Sequence, residues 1–282
     1  MSRTPHVPSP AVAAAAALAA LTALGLGLMG ACADSTTAPG PRVVYGPTQA
    51  IGQGTSRTYA ELDGAGAAVA VGVALTDGAL EGLPPEPLTP GMPGGVMLTL
   101  ALPAEATAAG YDHVALDWNP RGHDPVPIYG APHFDVHFYT ISAAAQAAIT
   151  PADPQFAAKL AQPPAPQFRP ATYIQFPGGV PMMGAHWGDP ASPELAPGAP
   201  SGTFTRTFLY GSYAGQLVFL EPMITRTALA AVKARPGVDS SRAIPVPAAY
   251  ERAGRYPTRY TVAYDAKARE YRVALAGLVR RD

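Results

Sequence analysis

Cysteine is nearly missing. Cys32 is the single one in 282 residues, so no disulfide within the chain can brace a fold. Charge is sparse as well: Asp, Glu, Lys and Arg make up 14% of the chain, the formal net charge is −1, and no run of like charges occurs. A nucleic-acid surface needs a basic patch or stripe, and the sequence offers neither. Nucleotide chemistry has no foothold. The Gly-rich piece GAGAAVAVG (residues 64–72) lacks the strand-then-helix setting and the distal acid of a dinucleotide site, and no phosphate-binding loop is present. No nucleotide cofactor is therefore expected. GSYAG is not a nucleophile elbow, which requires G-x-S-x-G between strand and helix. Beyond the N-terminal region no apolar run approaches the roughly twenty residues that cross a bilayer.

That N-terminal region carries the address. MSRTPHVPSP, with Arg3 its only fixed positive side chain, leads into the apolar run AVAAAAALAALTALGLGLMGACADS. Leu28-Met29-Gly30-Ala31-Cys32 resembles the lipobox of bacterial lipoproteins. The resemblance implies cleavage before Cys32 and acylation of its thiol with palmitate-type chains, each buried methylene adding roughly 0.8 kcal/mol of membrane affinity. The competing reading is an uncleaved anchor helix. Either way the rest of the chain lies outside the cytoplasm, on the periplasmic or surface side of the cell envelope. Ala33–Arg42, ADSTTAPGPR, is small, polar and Pro/Gly-containing, as a flexible tether is. The expected organisation is a lipoprotein signal peptide over 1–31, a lipidated cysteine and tether over 32–44, and one domain over 45–282.

From Val43 onward short apolar or alternating runs are broken by Pro and Gly about every ten residues, which favours strands and turns. Expected strands are Arg57–Leu62, Ala67–Ala74, Val96–Leu102, His113–Asp117, Phe134–Ile141, Thr172–Phe176, Thr203–Tyr210, Gln216–Glu221, Arg259–Tyr264 and Glu270–Leu275. The last two form a hairpin around AKA, and the pair before them another around GSYAG. Helices are few and short: Ser142–Ile149, Pro154–Gln162 with Asp153 as N-cap, and Thr225–Ala234 capped by Thr225. The fold class is mainly β, α+β in detail, and the expected packing is an antiparallel β-sandwich-like single domain.

Chemistry concentrates in three motifs. HFDVHFYTI sets His133, Asp135, His137 and Tyr139 on one face of a strand and Phe134, Val136 and Phe138 on the other. PMMGAHWGDP supplies His186. QLVFLEPMIT ends an apolar strand with Glu221, on a face shared with Leu217 and Phe219. Imidazole and carboxylate are ligands for zinc, iron, manganese or copper. Residues two apart on a strand are about 6.6 Å apart and residues four apart about 13 Å. An ideal strand thus cannot close His133, Asp135 and His137 on one ion. Either one histidine closes with Asp135, or a bulge shortens the span, or Asp135 fixes an imidazole from behind. His186 is the expected further ligand, and Tyr139, Trp118, Trp187 and Asp189 are candidate pocket walls. His113 and His123 complete the histidines outside the leader. The bland alternatives are a strand face meeting water, and a Glu221 turning to solvent before Pro222.

HFDVHFYTI, MGAHW and FLEPMIT, in that order, resemble a bacterial extracytoplasmic domain family of unknown function typified by a Thermus protein, the TTHB-type domain. The resemblance covers roughly Tyr45 to Val279 and implies one extracytoplasmic domain without implying an activity. The functional expectation is a membrane-tethered lipoprotein binding a transition metal through His133, Asp135, His137, His186 and Glu221, with metal-dependent catalysis open. The alternative is a non-catalytic surface lipoprotein whose exposed polar strand face meets a protein partner or its own copies.

Overall fold

Alternating apolar and polar runs resolve into sixteen strands in the computed structural model, which describes residues 40–88, 94–238 and 240–282. Cys32 and the apolar leader lie outside the described residues. The chain opens with β1 (Arg42–Tyr45), β2 (Gln49–Ile51), β3 (Gly54–Leu62) and β4 (Ala68–Thr76). It continues through β5 (Val96–Ala101), β6 (His113–Asn119), β7 (His133–Tyr139), β8 (Ile174–Gln175), β9 (Ala185–Gly188), β10 (Arg206–Tyr213) and β11 (Gln216–Thr225). It closes with β12 (Ser240–Ala243), β13 (Gly254–Tyr256), β14 (Arg259–Asp265), β15 (Glu270–Ala276) and β16 (Val279–Arg281).

These strands make two antiparallel sheets. The first runs β1-β3-β4-β15-β14-β12 with β2 alongside β3, the second β5-β6-β7-β11-β10-β9-β8, and β13 pairs with β16 apart from both. One apolar cluster joins the sheets, with Val71, Val73, Val262 and Val273 from the first and Leu116, Phe134, Val136, Phe138 and Leu220 from the second. Phe208 and Tyr260 meet across the interface with ring centroids 5.5 Å apart. The expected β-sandwich-like packing is what forms.

Each expected strand has a counterpart, and both hairpins form. The turn between β10 and β11 narrows to Ala214-Gly215, both with positive φ (52° and 79°), the conformation of a two-residue hairpin. Short strands without a clear alternation were not foreseen, among them β9, which carries His186. The helices are α1 (Ala104–Ala108), α2 (Val126–Tyr129), α3 (Ala143–Ala147), α4 (Phe156–Leu160) and α5 (Arg226–Val232). Thr225 caps α5 as expected, its hydroxyl accepting from Ala228 N at 3.1 Å. Asp153 does not cap α4, which starts at Phe156 behind Gln155. Its carboxylate instead accepts from Gln155 N and from Lys159 Nζ.

Two further differences bear on function. Strand β11 does not stop at Glu221 but runs through Pro222 to Thr225 in the middle of its sheet. Pairing with β7 links Leu220 to Phe138 and Met223 to Asp135 and lapses in between, where Pro222 has no N–H to offer. The polar face of β7 is also not hydrated. All seven of its residues are buried, because loops and short helices cover the outer face of the second sheet. Tyr139, Phe219 and Val218 pack there against Ile149, Phe156 and Met183. Met223 and Leu209 pack against Tyr129, Phe204 and Phe176.

Candidate metal centre

Strand register gathers the polar residues. Across β6 and β7, Asp117 stands opposite Asp135 and Asn119 opposite His133. On the other side of β7, Met223 of β11 stands opposite Asp135, which places Glu221 on the same face. Glu221 pairs with Leu209, and Leu209 with Gly188, so His186 joins that face from β9. His133, Asp135 and His137 are 0%, 4% and 0% exposed and Glu221 1%. The readings that sent them to water are overturned: the covering loops exclude it.

Within this layer two groups of three form. In the first, His133 Nε2 lies 3.1 Å from Asp135 Oδ1 and His123 Nε2 lies 3.3 Å from Asp135 Oδ2. In the second, His137 Nε2 lies 3.3 Å from Glu221 Oε1 and His186 Nε2 3.7 Å from Glu221 Oε2. The ligand atoms of each group lie within 4.8 Å of one another. In a tetrahedron with bonds of about 2.1 Å, neighbouring ligands are about 3.4 Å apart, so the carboxylate–imidazole spacings have the right scale.

Proximity is not pairing here. Among the described residues, His133 Nε2, Asp135 Oδ1, both ring nitrogens of His137, Glu221 Oε2 and both oxygens of Asp117 are buried without a hydrogen-bond partner. What pairs instead are the outer atoms. His133 Nδ1 lies 2.7 Å from the Ala131 carbonyl and His123 Nδ1 2.8 Å from the Asp124 carbonyl. Asn119 Nδ2 donates to Asp135 Oδ2 at 2.7 Å. A carbonyl only accepts, so each Nδ1 carries a proton, and Nε2 is the nitrogen turned toward Asp135, open to a second proton or to a metal.

The electrostatics match a layer that needs positive charge. Burial opposes ionisation of Asp135, but His133 and His123 outweigh it and hold its carboxyl well below the usual range. Burial lowers His123, yet Asp135 pushes it up to about 9. His137 is raised to about 9 in the same way, with Glu221 and Asp117 overcoming burial. Burial lifts Glu221 to about 8 against the pull of His137, and lifts Asp117 as well. His186 is pushed down to about 3 by burial and by the neighbouring His137.

His133, His137 and His186 do not share one centre. Asp135 closes with His133, as strand spacing allowed, while His137 turns to Glu221 and His186. His123 was not among the expected ligands, although RGHDP placed a histidine and an acid just before β7. Asp117 and Asn119 were missed too. Their signal lay in HVALDWN, where His113, Ala115, Asp117 and Asn119 alternate onto one face. Of the expected walls, Tyr139 lies beside the layer, with its ring centroid 6.0 Å from that of His137. Trp118 and Trp187 belong to the core between the sheets, and Asp189 accepts from Ala191 N in a turn.

No curated protein and no solved structure matches the chain. A family model does match, over residues 63–118, a stretch that holds β4, β5 and most of β6, includes Asp117 and ends upstream of the three histidine motifs. Over that stretch the chain is similar to the TTHB210-like family, described as hypothetical protein TTHB210.

Proposed function

We propose that this protein is a membrane-tethered extracytoplasmic domain that binds a divalent transition metal through His123, His133 and Asp135. One observation carries it: two imidazoles with Nδ1 committed to backbone carbonyls aim Nε2 at a single buried carboxylate, at 3.1 and 3.3 Å, and His133 Nε2 makes no hydrogen bond among the described residues. With the site empty a proton on His123 relieves its contact with Asp135, and a divalent cation can take the place of that proton and join both imidazoles to the carboxylate. The outer hydrogen bonds to Ala131, Asp124 and Asn119 are the supports that fix a ligand's tautomer and direction.

The donors are nitrogen and oxygen without sulfur, which suits zinc, iron, manganese or copper(II). Two histidines and one carboxylate leave coordination positions open, as catalytic sites do and closed structural sites do not. His123 is the access side, with a side chain 24% exposed. Hydrolysis by metal-activated water, or redox chemistry at iron or copper, is the activity this donor set serves. The lipobox-like Leu28–Cys32 supports the tether. The rival, a partner docking on the polar face of β7, would need a face that is buried.

The test is metal content of protein purified without an affinity tag, in wild type and in His123→Ala and His133→Ala. Loss of an equivalent in both variants supports the reading. A wild-type protein that takes up no zinc, cobalt, manganese, iron or copper overturns it.

A further inference from the structure

The second group differs in construction. His137 is 0% exposed, and both of its ring nitrogens face carboxylates, Nε2 toward Glu221 at 3.3 Å and Nδ1 toward Asp117 Oδ2 at 3.2 Å. An imidazole that ligates a cation through one nitrogen keeps its proton on the other, and here the other nitrogen, Nδ1, has a carboxylate to receive it. A proton directed at Asp117 leaves Nε2 and the Glu221 carboxylate as two acceptors side by side, with His186 Nε2 3.7 Å away on the other Glu221 oxygen. Among the described residues, Glu221 Oε2 and both His137 nitrogens lack a hydrogen bond. A buried carboxylate and imidazole left in that state are costly unless a cation joins them.

We propose that His137, His186 and Glu221 form a second divalent-metal site, separate from the first, with Asp117 as the positioning residue that holds the proton on His137 Nδ1. This deepens the metal-binding reading of the same layer but does not require the first group to be filled. The sites are separate because they share no ligand: His123 and His133 close on Asp135, while His137 and His186 close on Glu221. The donor class repeats, two imidazoles and a carboxylate, so the same metals fit and coordination positions stay open. Access is through His186, whose side chain is 16% exposed, whereas His123 opens the first site. The supports differ: backbone carbonyls behind His133 and His123, a buried carboxylate behind His137. A carboxylate behind a ligating histidine makes the ring a stronger base, and losing such a partner lowers metal affinity by about 10–100-fold.

Equilibrium dialysis against Co2+, read by metal content per chain and by the visible absorption of bound cobalt, separates the possibilities. The expected result is two equivalents in wild type, one in His123→Ala, one in His186→Ala and none in the double variant. Asp117→Asn should weaken one equivalent by about 10–100-fold and leave the other unchanged. A wild type with one equivalent that survives His186→Ala overturns the second site and leaves the first standing. One equivalent lost in His186→Ala but kept in His123→Ala does the reverse. If His186→Ala does not fold, Glu221→Gln, which keeps the shape of the side chain, takes its place. A wild type binding no cobalt overturns both.

Discussion

Asp117 Oδ2 stands 3.2 Å from His137 Nδ1, on neighbouring strands of one sheet, and both residues are shielded from water. Two strands pair because their inner faces, Val114, Leu116 and Trp118 on β6 and Phe134, Val136 and Phe138 on β7, fill the core between the sheets. Alternation then delivers Asp117 and His137 to the opposite face. The sandwich core thereby fixes the polar layer, and the loops that cover it convert a polar strand face into a dry site.

Chelation should destabilise the domain. A ligand present at 100 times its dissociation constant adds about 2.7 kcal/mol to the folded state. For a domain of 150–250 residues each kcal/mol moves Tm by about 2–4 °C, so EDTA should lower Tm by about 5–10 °C. Differential scanning calorimetry of metal-loaded and chelated protein checks this, and identical melting curves would count against metal at either group.

Chelated protein should lose stability as pH rises from about 6.5 to 9. His123 and His137 are raised from 6.5 to about 9, and Glu221 from 4.5 to about 8. Between those limits the folded chain binds more protons than the unfolded chain, so stability falls with rising pH, by at most about 1.4 kcal/mol per pH unit for each such proton. The groups facing these three are Asp117 from β6, Asp135 on β7 and His186 from β9. Asp135, held low, and His186, lowered to about 3, contribute in the opposite sense, and their stability is lost only in acid. Metal requires the deprotonated ligands, so its stabilisation should widen over the same range. Urea denaturation at pH 6.5, 8 and 9, with EDTA and with Zn2+, measures both slopes. A chelated protein that gains stability toward pH 9 contradicts the assignment.

Cys32→Ser should abolish lipid attachment to the protein. The serine hydroxyl does not replace the thiol in the acylation implied by Leu28–Cys32, and stable anchoring relies on more than one acyl chain. Labelled palmitate reports the change. Wild-type protein that takes up no label removes the tether and leaves the metal site untouched.

Legibility in the sequence followed local periodicity. HFDVHFYTI and RYTVAYD announced strands because their side chains alternate over six or more residues, and both form. AHWG, four residues long, announced nothing and still forms β9, because Tyr210 and Gly211 of β10 supply the pairing. The same limit governed the site. His133 and Asp135 could be joined from strand spacing alone. The separation of His137 from them depends on β11 lying beside β7, a long-range choice with no local signal. His123 enters only when the loop before α2 folds back over the sheet, and Asp117 only when β6 and β7 pair in this register.

Gly211 gives the clearest link between packing and site. It pairs with Phe219 on one side and His186 on the other, and a Cβ placed on it would fall 2.0 Å from the Phe219 ring. That ring is fully buried and supports both histidines of the second group, 4.8 Å from His137 and 5.3 Å from His186 between centroids. Gly211→Ala must therefore push the ring out of its place rather than bend a free chain end. Overpacking of this kind costs about 1–3 kcal/mol. The displaced ring should also misalign His137 and His186, weakening the second cobalt equivalent while the first, supported by Ala131, Asp124 and Asn119, keeps its affinity. Urea denaturation and cobalt titration of the same variant test the two effects together. Equal weakening of both equivalents would show that the groups are held by one shared scaffold and not by separate supports.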